Sequence, residues 1–270
     1  MKVAAIQMVS GLDWRANLAA AEAALAEAAG QGAELAVLPE YFCLLGQTDR
    51  DKLALAEAPG EGPLQHALAT AAKRHGLWVV GGTLPLATPD PARVRNSCLA
   101  FDPQGRQVAR YDKMHLFRFE NGSERYDEAR TLEAGSEPVR FTLPSRDGHA
   151  WQVCLSVCYD LRFPELYRHL QADLLLVPSA FTHTTGQAHW EVLLRARAIE
   201  NQCYVMAPAQ GGLHENGRRT FGHSLVVDPW GEVLARVAEG PGLAVADLDF
   251  ERLATVRQQL PALQHRRLTC

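Results

Sequence analysis

Two stretches of this chain say nearly the same thing twice. "ELAVLPEYF" (34–42) is echoed by "ADLLLVPSAF" (172–181), and "FDPQGRQVAR" (101–110) by "VDPWGEVLAR" (227–236). In each pair a short β-branched and leucine-rich run ends in proline, and a later hairpin turns through Asp-Pro. A chain that repeats such a layout can stack two related sheets face to face with helices outside. The segments between the echoes fit that plan. "KVAAIQM" reads as a buried strand, "NLAAAEAALAEAAGQG" as an alanine-rich helix closed by Gly30, and "PLQHALATAAKRHG" as a second helix ending at Gly76. "LWVVGGTLP" follows as a strand and "DPQG" (102–105) as a hairpin turn. The second half runs strand "WQVCLSVCY", helix from Pro164, strand "DLLLVPSA", helix "AHWEVLLRARAIENQ", strand "CYVMAPA" and the turn "DPWG" (228–231). No linker or low-complexity stretch divides the chain, so residues 1–270 are expected to form one α/β domain.

Composition narrows the partners. At 47% hydrophobic and 21% charged residues the chain reads as a soluble globular protein, and a net charge of −4 gives no global reason to bind nucleic acid or an anionic membrane. No apolar run reaches membrane-spanning length, and "MKVAAIQMVSGLDW" lacks a secretory pattern. Six cysteines (43, 98, 154, 158, 203, 270) without CxxC spacing are expected to be reduced thiols of a cytoplasmic protein. "NGS" at 121–123 then carries no glycan. No metal-ligand spacing and no Gly-rich phosphate loop is present, so neither metal nor cofactor is expected.

Three positions stand out chemically. Glu40 follows a buried strand, where ligands of α/β proteins bind, although a solvated loop glutamate would look the same. Lys113 is one of only four lysines (2, 52, 73, 113), which makes each one's surroundings informative. It sits among Tyr111, Met114, Leu116 and Phe117, an apolar setting for an ammonium. Cys158 closes the run "VCLSVC" just before the helix at Pro164. Such a strand–turn–helix elbow exposes a side chain at a sheet edge and offers backbone N–H groups to an oxyanion. Cys154, within the run, reads as a small core residue. A thiol needs a nearby base. His115, His183, His189 and His223 lie near these segments, and a Cys/His pair stays open on the residues alone.

Taken together, "LPEYF", "YDKMHLF" and "CYDLRFPEL" resemble the nitrilase superfamily of carbon–nitrogen hydrolases, in the same order along the chain. "PSAFTHTTGQAHWEVLLRARAIENQCYV", "GHSLVVDPWGEVLARVAEGPGLAVADLD" and "LPALQHRR" are similar to its Nit subfamily, in the deaminated-glutathione amidase branch. The resemblance implies a four-layer α-β-β-α sandwich assembled as a homodimer or larger homo-oligomer, with the tail from about 260 in the contact. It implies Glu40 as base, Lys113 as catalytic cation and Cys158 as nucleophile. Glu128, in "YDEA", stands where the family's second glutamate falls, close to the acidic residues Glu120, Glu124 and Asp127. The Tyr159 backbone N–H joins Lys113 at the oxyanion, and Arg162, Phe181 and Thr185 fall at substrate contacts. Read alone, Arg162 is equally a salt bridge closing the elbow, Phe181 core, and Thr185 a helix N-cap.

The implied reaction is hydrolysis of a small α-keto acid amide, deaminated glutathione foremost, through a cysteine thioester and with no cofactor. An ω-amidase acting on α-ketoglutaramate or α-ketosuccinamate would share the chemistry, and a non-catalytic scaffold would share only the fold.

Overall fold

The computed structural model describes residues 1–122 and 124–268. Ser123 of the "NGS" stretch and Cys270 lie outside the described residues.

The first half of the chain forms β1 (Lys2–Gln7), α1 (Trp14–Gly30), β2 (Leu35–Val37), α2 (Pro63–His75), β3 (Trp78–Ala87), β4 (Val94–Phe101) and β5 (Gln107–Asp112). A small hairpin, β6 (Arg118–Glu120) and β7 (Arg125–Asp127), leads into β8 (Val139–Pro144). The second half forms β9 (Ala150–Leu155), α3 (Pro164–Leu170), β10 (Leu174–Leu176), α4 (His183–Asn201) and β11 (Tyr204–Ala207). A second small hairpin, β12 (Gly211–Leu213) with β13 (Arg219–Phe221), precedes β14 (Leu225–Val227) and β15 (Val233–Arg236). The chain closes with β16 (Gly242–Asp247) and α5 (Phe250–Gln259).

The echoes in the sequence are echoes in the topology. One sheet has the order β16-β1-β2-β3-β4-β5 and the other β15-β14-β11-β10-β9-β8. Each has three parallel strands at its centre, β1-β2-β3 and β9-β10-β11, and antiparallel neighbours outside them. β2 and β10, which carry the first echo, hold equivalent places. So do the hairpins β4–β5 and β14–β15, which carry the second.

Side-chain alternation across the first sheet sorts its residues into two cores. Val3, Ala5, Leu35, Val37 and Val80 pack with Leu143, Trp151, Val153 and Leu155 of the other sheet. Ala4, Ile6, Ala36, Leu38 and Val79 pack instead with Ala21, Leu25 and Ala28 of α1 and Leu64 and Leu68 of α2. Leu166, Tyr167 and Leu170 of α3 and Trp190, Leu194 and Ala198 of α4 join the core of the second sheet. The layers are therefore helix, sheet, sheet, helix.

Some boundaries differ from the sequence reading. Gly30 is the last residue of α1, and the left-handed position falls two residues later at Gly32 (φ +81°). Gly76 does end α2, in the left-handed conformation (φ +63°). Thr182 caps α4, its hydroxyl accepting from the Thr185 N–H at 3.3 Å, so Thr185 lies inside the first turn and is not the cap. β9 stops at Leu155, three residues short of Cys158. No described helix is long and apolar enough to cross a membrane.

Candidate active site

The carboxyl ends of the central strands of both sheets meet at one end of the sandwich, where α/β folds bind ligands. Past β2, Leu38 still pairs with β3 (N to Val80 O, 3.0 Å) before Pro39 turns the chain and delivers Glu40. Past β10, Val177 pairs with β11 in the same way (N to Met206 O, 2.9 Å) before Pro178. The two exits touch: the Ala180 N–H donates to Glu40 Oε2 at 2.9 Å, and the Gln210 side chain donates to the Glu40 carbonyl at 3.1 Å. Lys113 follows β5 directly, tied by its N–H to Asn96 O (3.0 Å) and by its carbonyl to the Gly135 N–H (2.9 Å).

These exits bring Glu40, Lys113 and Cys158 together. Lys113 Nζ lies 2.9 Å from Glu40 Oε1 and 2.8 Å from Glu128 Oε2, with both the lysine and Glu40 only 1% exposed. Asn96 donates to the same Glu40 oxygen at 2.9 Å, and Cys158 lines the same hollow as Glu40, close enough for the carboxylate to act on its thiol. Glu128 is further held by the Tyr41 hydroxyl (2.8 Å) and the Phe117 N–H (2.7 Å). Its acidic neighbours go elsewhere: Glu124 accepts from Thr184, Glu120 faces Arg125, and Asp127 lines the cleft.

Burial and charge drive these groups in different directions. Burial pushes Glu40 above the ordinary carboxylate range, and the Lys113 ammonium only partly offsets it. Burial acts on Glu128 in the same sense, but Lys113 and the Phe117 N–H outweigh it and hold that carboxyl low. Burial lowers Lys113, yet the two carboxylates overcome it and keep the ammonium charged far into alkali. Burial, with Glu40 beside it, lifts the Cys158 thiol well above its usual value, so the resting group is S–H.

Cys158 starts a 3-10 turn (Cys158–Arg162) and adopts φ +49°, a strained conformation for a side-chain-bearing residue. Its own N–H is spent on Pro178 O (3.0 Å), which leaves the Tyr159 N–H, next along, without an acceptor among the described residues. Fully buried Asp160 braces the turn. It accepts from the Val157 N–H (2.8 Å), the Tyr111 hydroxyl (2.7 Å) and the His115 N–H (3.1 Å), and lies 2.7 Å from His115 Nδ1. One carboxylate thus ties the cysteine turn to both sides of Lys113. His115 is committed there and stacks on Phe163. Cys154 is a core residue, facing away from the cleft.

Two connected hollows open on Cys158. The smaller, about 220 Å³ with open solvent included, is lined by Phe117, Tyr159, Arg162, Phe181 and Thr185. Arg162 makes no ion pair among the described residues. Its guanidinium bonds His189 Nδ1 (3.3 Å) and lies over the rings of Tyr159 and Phe181. It does not close the elbow by a salt bridge. Phe181 both packs on Trp190 and lines the hollow. The larger hollow, about 630 Å³ by the same measure, is lined by Glu40, Glu128 and Tyr126, with Lys52 and Arg218 at its rim.

Residues 2–258 match the carbon-nitrogen hydrolase family. The chain belongs to that family. As a carbon–nitrogen hydrolase it cleaves amide C–N bonds other than peptide bonds. It is 44% identical over 269 residues to the deaminated glutathione amidase of Synechocystis sp., covering 97% of each chain. Saccharomyces cerevisiae Nit3, a member of branch 10 of the nitrilase superfamily, superposes with a TM-score of 0.87 at 30% identity over 99% of this chain and 97% of the other. An amidase mutant from Nesterenkonia sp. AN1 superposes with a TM-score of 0.81, also at 30% identity, over 99% of this chain and 94% of the other. That structure carries the acetamide moiety of fluoroacetamide covalently on its active site cysteine. Nit-type carbon–nitrogen hydrolases are thus the relatives that the ordered motifs led us to expect.

In this carbon–nitrogen hydrolase several residues of the site were not foreseen. Asn96, Tyr41, Asp160 and the Ala180 N–H act mainly through contacts with residues far away in the sequence, which no local motif reveals. Asp160 stood within "CYDLR", two residues past the cysteine, and its apolar surroundings were the available signal.

Proposed function

We propose that this hydrolase cleaves the amide of deaminated glutathione, releasing α-ketoglutarate and cysteinylglycine through a thioester on Cys158. The observation that carries the reading is one buried cluster: a thiol beside a carboxylate that is ion-paired with an ammonium. Glu40 takes the thiol proton as Sγ attacks the amide carbonyl carbon. Lys113 and the Tyr159 N–H hold the tetrahedral oxyanion. The C–N bond breaks as Glu40 returns the proton to the leaving nitrogen. Glu40 then takes a proton from water, which attacks the thioester, and the departing Cys158 sulfur is reprotonated from Glu40. Glu128, anionic throughout, keeps Lys113 oriented and charged.

Substrate choice rests on the two hollows. Glu40 lines the larger one, so the leaving nitrogen belongs there, and the α-keto acyl half belongs in the smaller one with the Arg162 guanidinium over its carboxylate. Phe181 and Thr185 line that acyl side. An ω-amidase, which expels only ammonia, has no use for a large leaving-group hollow. The Synechocystis relative's name agrees with this choice. The test is to mix enzyme and substrate, quench in acid and weigh the intact protein. An α-ketoglutaryl adduct on Cys158 supports the reading, and turnover with no adduct on the cysteine in any quench overturns it.

We further read residues 1–270 as one catalytic domain acting as a homodimer or larger homo-oligomer in the cytoplasm. Apolar Val192 and Ile199 stand exposed on α4 and Trp230 stands exposed next to Gly231, which abuts Ile199, and Cys43, Cys98, Cys154, Cys158 and Cys203 are free thiols. Light scattering that returns the mass of one chain, 29.6 kDa, would refute the assembly.

A further inference from the structure

The larger hollow has a cation that no carboxylate contacts directly among the described residues. Three cations line it: Lys52, Arg218 and Arg219. Arg218 is paired with Asp49 at 2.8 Å and lies over the Tyr126 ring, and Arg219 is paired with Glu239 at 2.8 Å. Lys52, in the 3-10 turn Asp51–Leu55, makes no hydrogen bond or ion pair among the described residues. Its ammonium is half-buried against the face of Tyr41, 5.0 Å from the ring centroid. The Tyr41 hydroxyl in turn holds Glu128, so the unmatched cation stands beside the reacting cluster. Removing an ammonium from water without a direct partner is costly, and burial pushes the Lys52 pKa down, with the more distant Glu128 and Asp49 only partly offsetting it. An anion arriving in the hollow removes it. Asp127 also lines the hollow, with no side-chain hydrogen bond or ion pair among the described residues, so these two charges offset each other and what results is recognition at one point and no general anionic pull.

We propose that Lys52 anchors a carboxylate on the amine half of the substrate, so that the site holds an anionic group on each side of the bond it cleaves. Arg162 serves the acyl side and Lys52 the leaving side, with Cys158 opening on both hollows. The inference rests on the function proposed above and sharpens it. The substrate class becomes an α-keto acyl amide of an amino acid or short peptide with a free C-terminal carboxylate.

The test compares kcat and KM for deaminated glutathione, its C-terminal carboxamide, and α-ketoglutaramate, with wild type, Lys52→Met and Lys52→Arg. In the wild type, blocking the carboxylate lowers kcat/KM by about tenfold, mainly through KM. Lys52→Met removes that preference, leaving acid and carboxamide within about twofold of each other, and Lys52→Arg restores most of it. α-Ketoglutaramate has no carboxylate on the leaving side, so it reports whether fold and chemistry survive each substitution. A wild type that treats acid and carboxamide alike overturns the subsite, as does a Met variant that keeps the preference or loses all three activities in parallel. Wild type inactive on deaminated glutathione overturns the parent reading and the subsite with it, a result visible before any substitution is made.

Discussion

Glu40 and Glu128 flank the same ammonium, yet their surroundings drive them apart. Glu40 is lifted by burial and stands beside the thiol, whereas Lys113 and a backbone N–H hold the Glu128 carboxyl low. In the proposed mechanism two carboxylates separated in this way divide the work, one moving protons and the other holding charge. A base acts only when unprotonated, and the Glu40 pKa is raised. kcat/KM therefore falls as pH drops through a value above 4.5, the ordinary glutamate figure. On the alkaline side Lys113 keeps its charge beyond 10.5 and imposes no loss below that pH. Glu40→Gln removes the base and lowers kcat by about 10²–10⁴-fold, measured at the pH optimum of the wild type. Asp160→Ala strands four donor contacts in the interior. It costs on the order of 3 kcal/mol, read as a Tm loss of about 2–4 °C per kcal/mol. Unchanged stability would deny Asp160 its bracing role. At this scale the sequence was legible where chemistry clusters in a motif, as at Glu40, Lys113 and Cys158. Asp160 and Asn96 were hidden because Tyr111 and Glu40, which they bond, lie 40 or more residues away, and Lys52 because only the fold brings its turn to the hollow, although the scarcity of lysine had made each lysine's surroundings informative.

The elements hold the site through close backbone passage. Gly82 of β3 lies so near the exit of β2 that a Cβ there would stand 1.9 Å from Pro39 O, one residue before Glu40. Gly135 does the same for the exit of β5, where a Cβ would stand 2.2 Å from Asp112 O, one residue before Lys113. Both glycines are there for approach. Gly82→Ala should cost about 1–3 kcal/mol by overpacking and displace Glu40, so kcat falls together with Tm. A Gly82→Ala protein with wild-type kcat would show that the β2 exit has room to spare. The alternation of strands and helices was readable from apolar runs and from Gly76, but the ends were not. β9 stops at Leu155 because the chain must leave the sheet to form the turn that presents Cys158, and the sharp break in apolarity at that cysteine marks the turn, not the last paired residue.

Across the whole molecule the duplicated layout explains why the cluster can exist. Glu40 and Lys113 leave one sheet and Cys158 leaves the other, so the proposed proton acceptor and the proposed nucleophile meet only where the two sheets meet. The two short echoes in the sequence pointed to this arrangement, since they mark the paired strands and paired hairpins of the two sheets. They could not show which strand ends converge, because that depends on how the sheets stack. The central claim is that Cys158 attacks an α-keto acyl amide whose leaving half fills the larger hollow. It is tested most directly by measuring α-keto acid release from deaminated glutathione and from α-ketoglutaramate with wild type and Cys158→Ala. The account predicts a wild-type preference for deaminated glutathione of about tenfold or more in kcat/KM, worth about 1.4 kcal/mol, and no turnover of either substrate by the variant. Turnover that survives in Cys158→Ala, or a wild type that prefers α-ketoglutaramate, would contradict it.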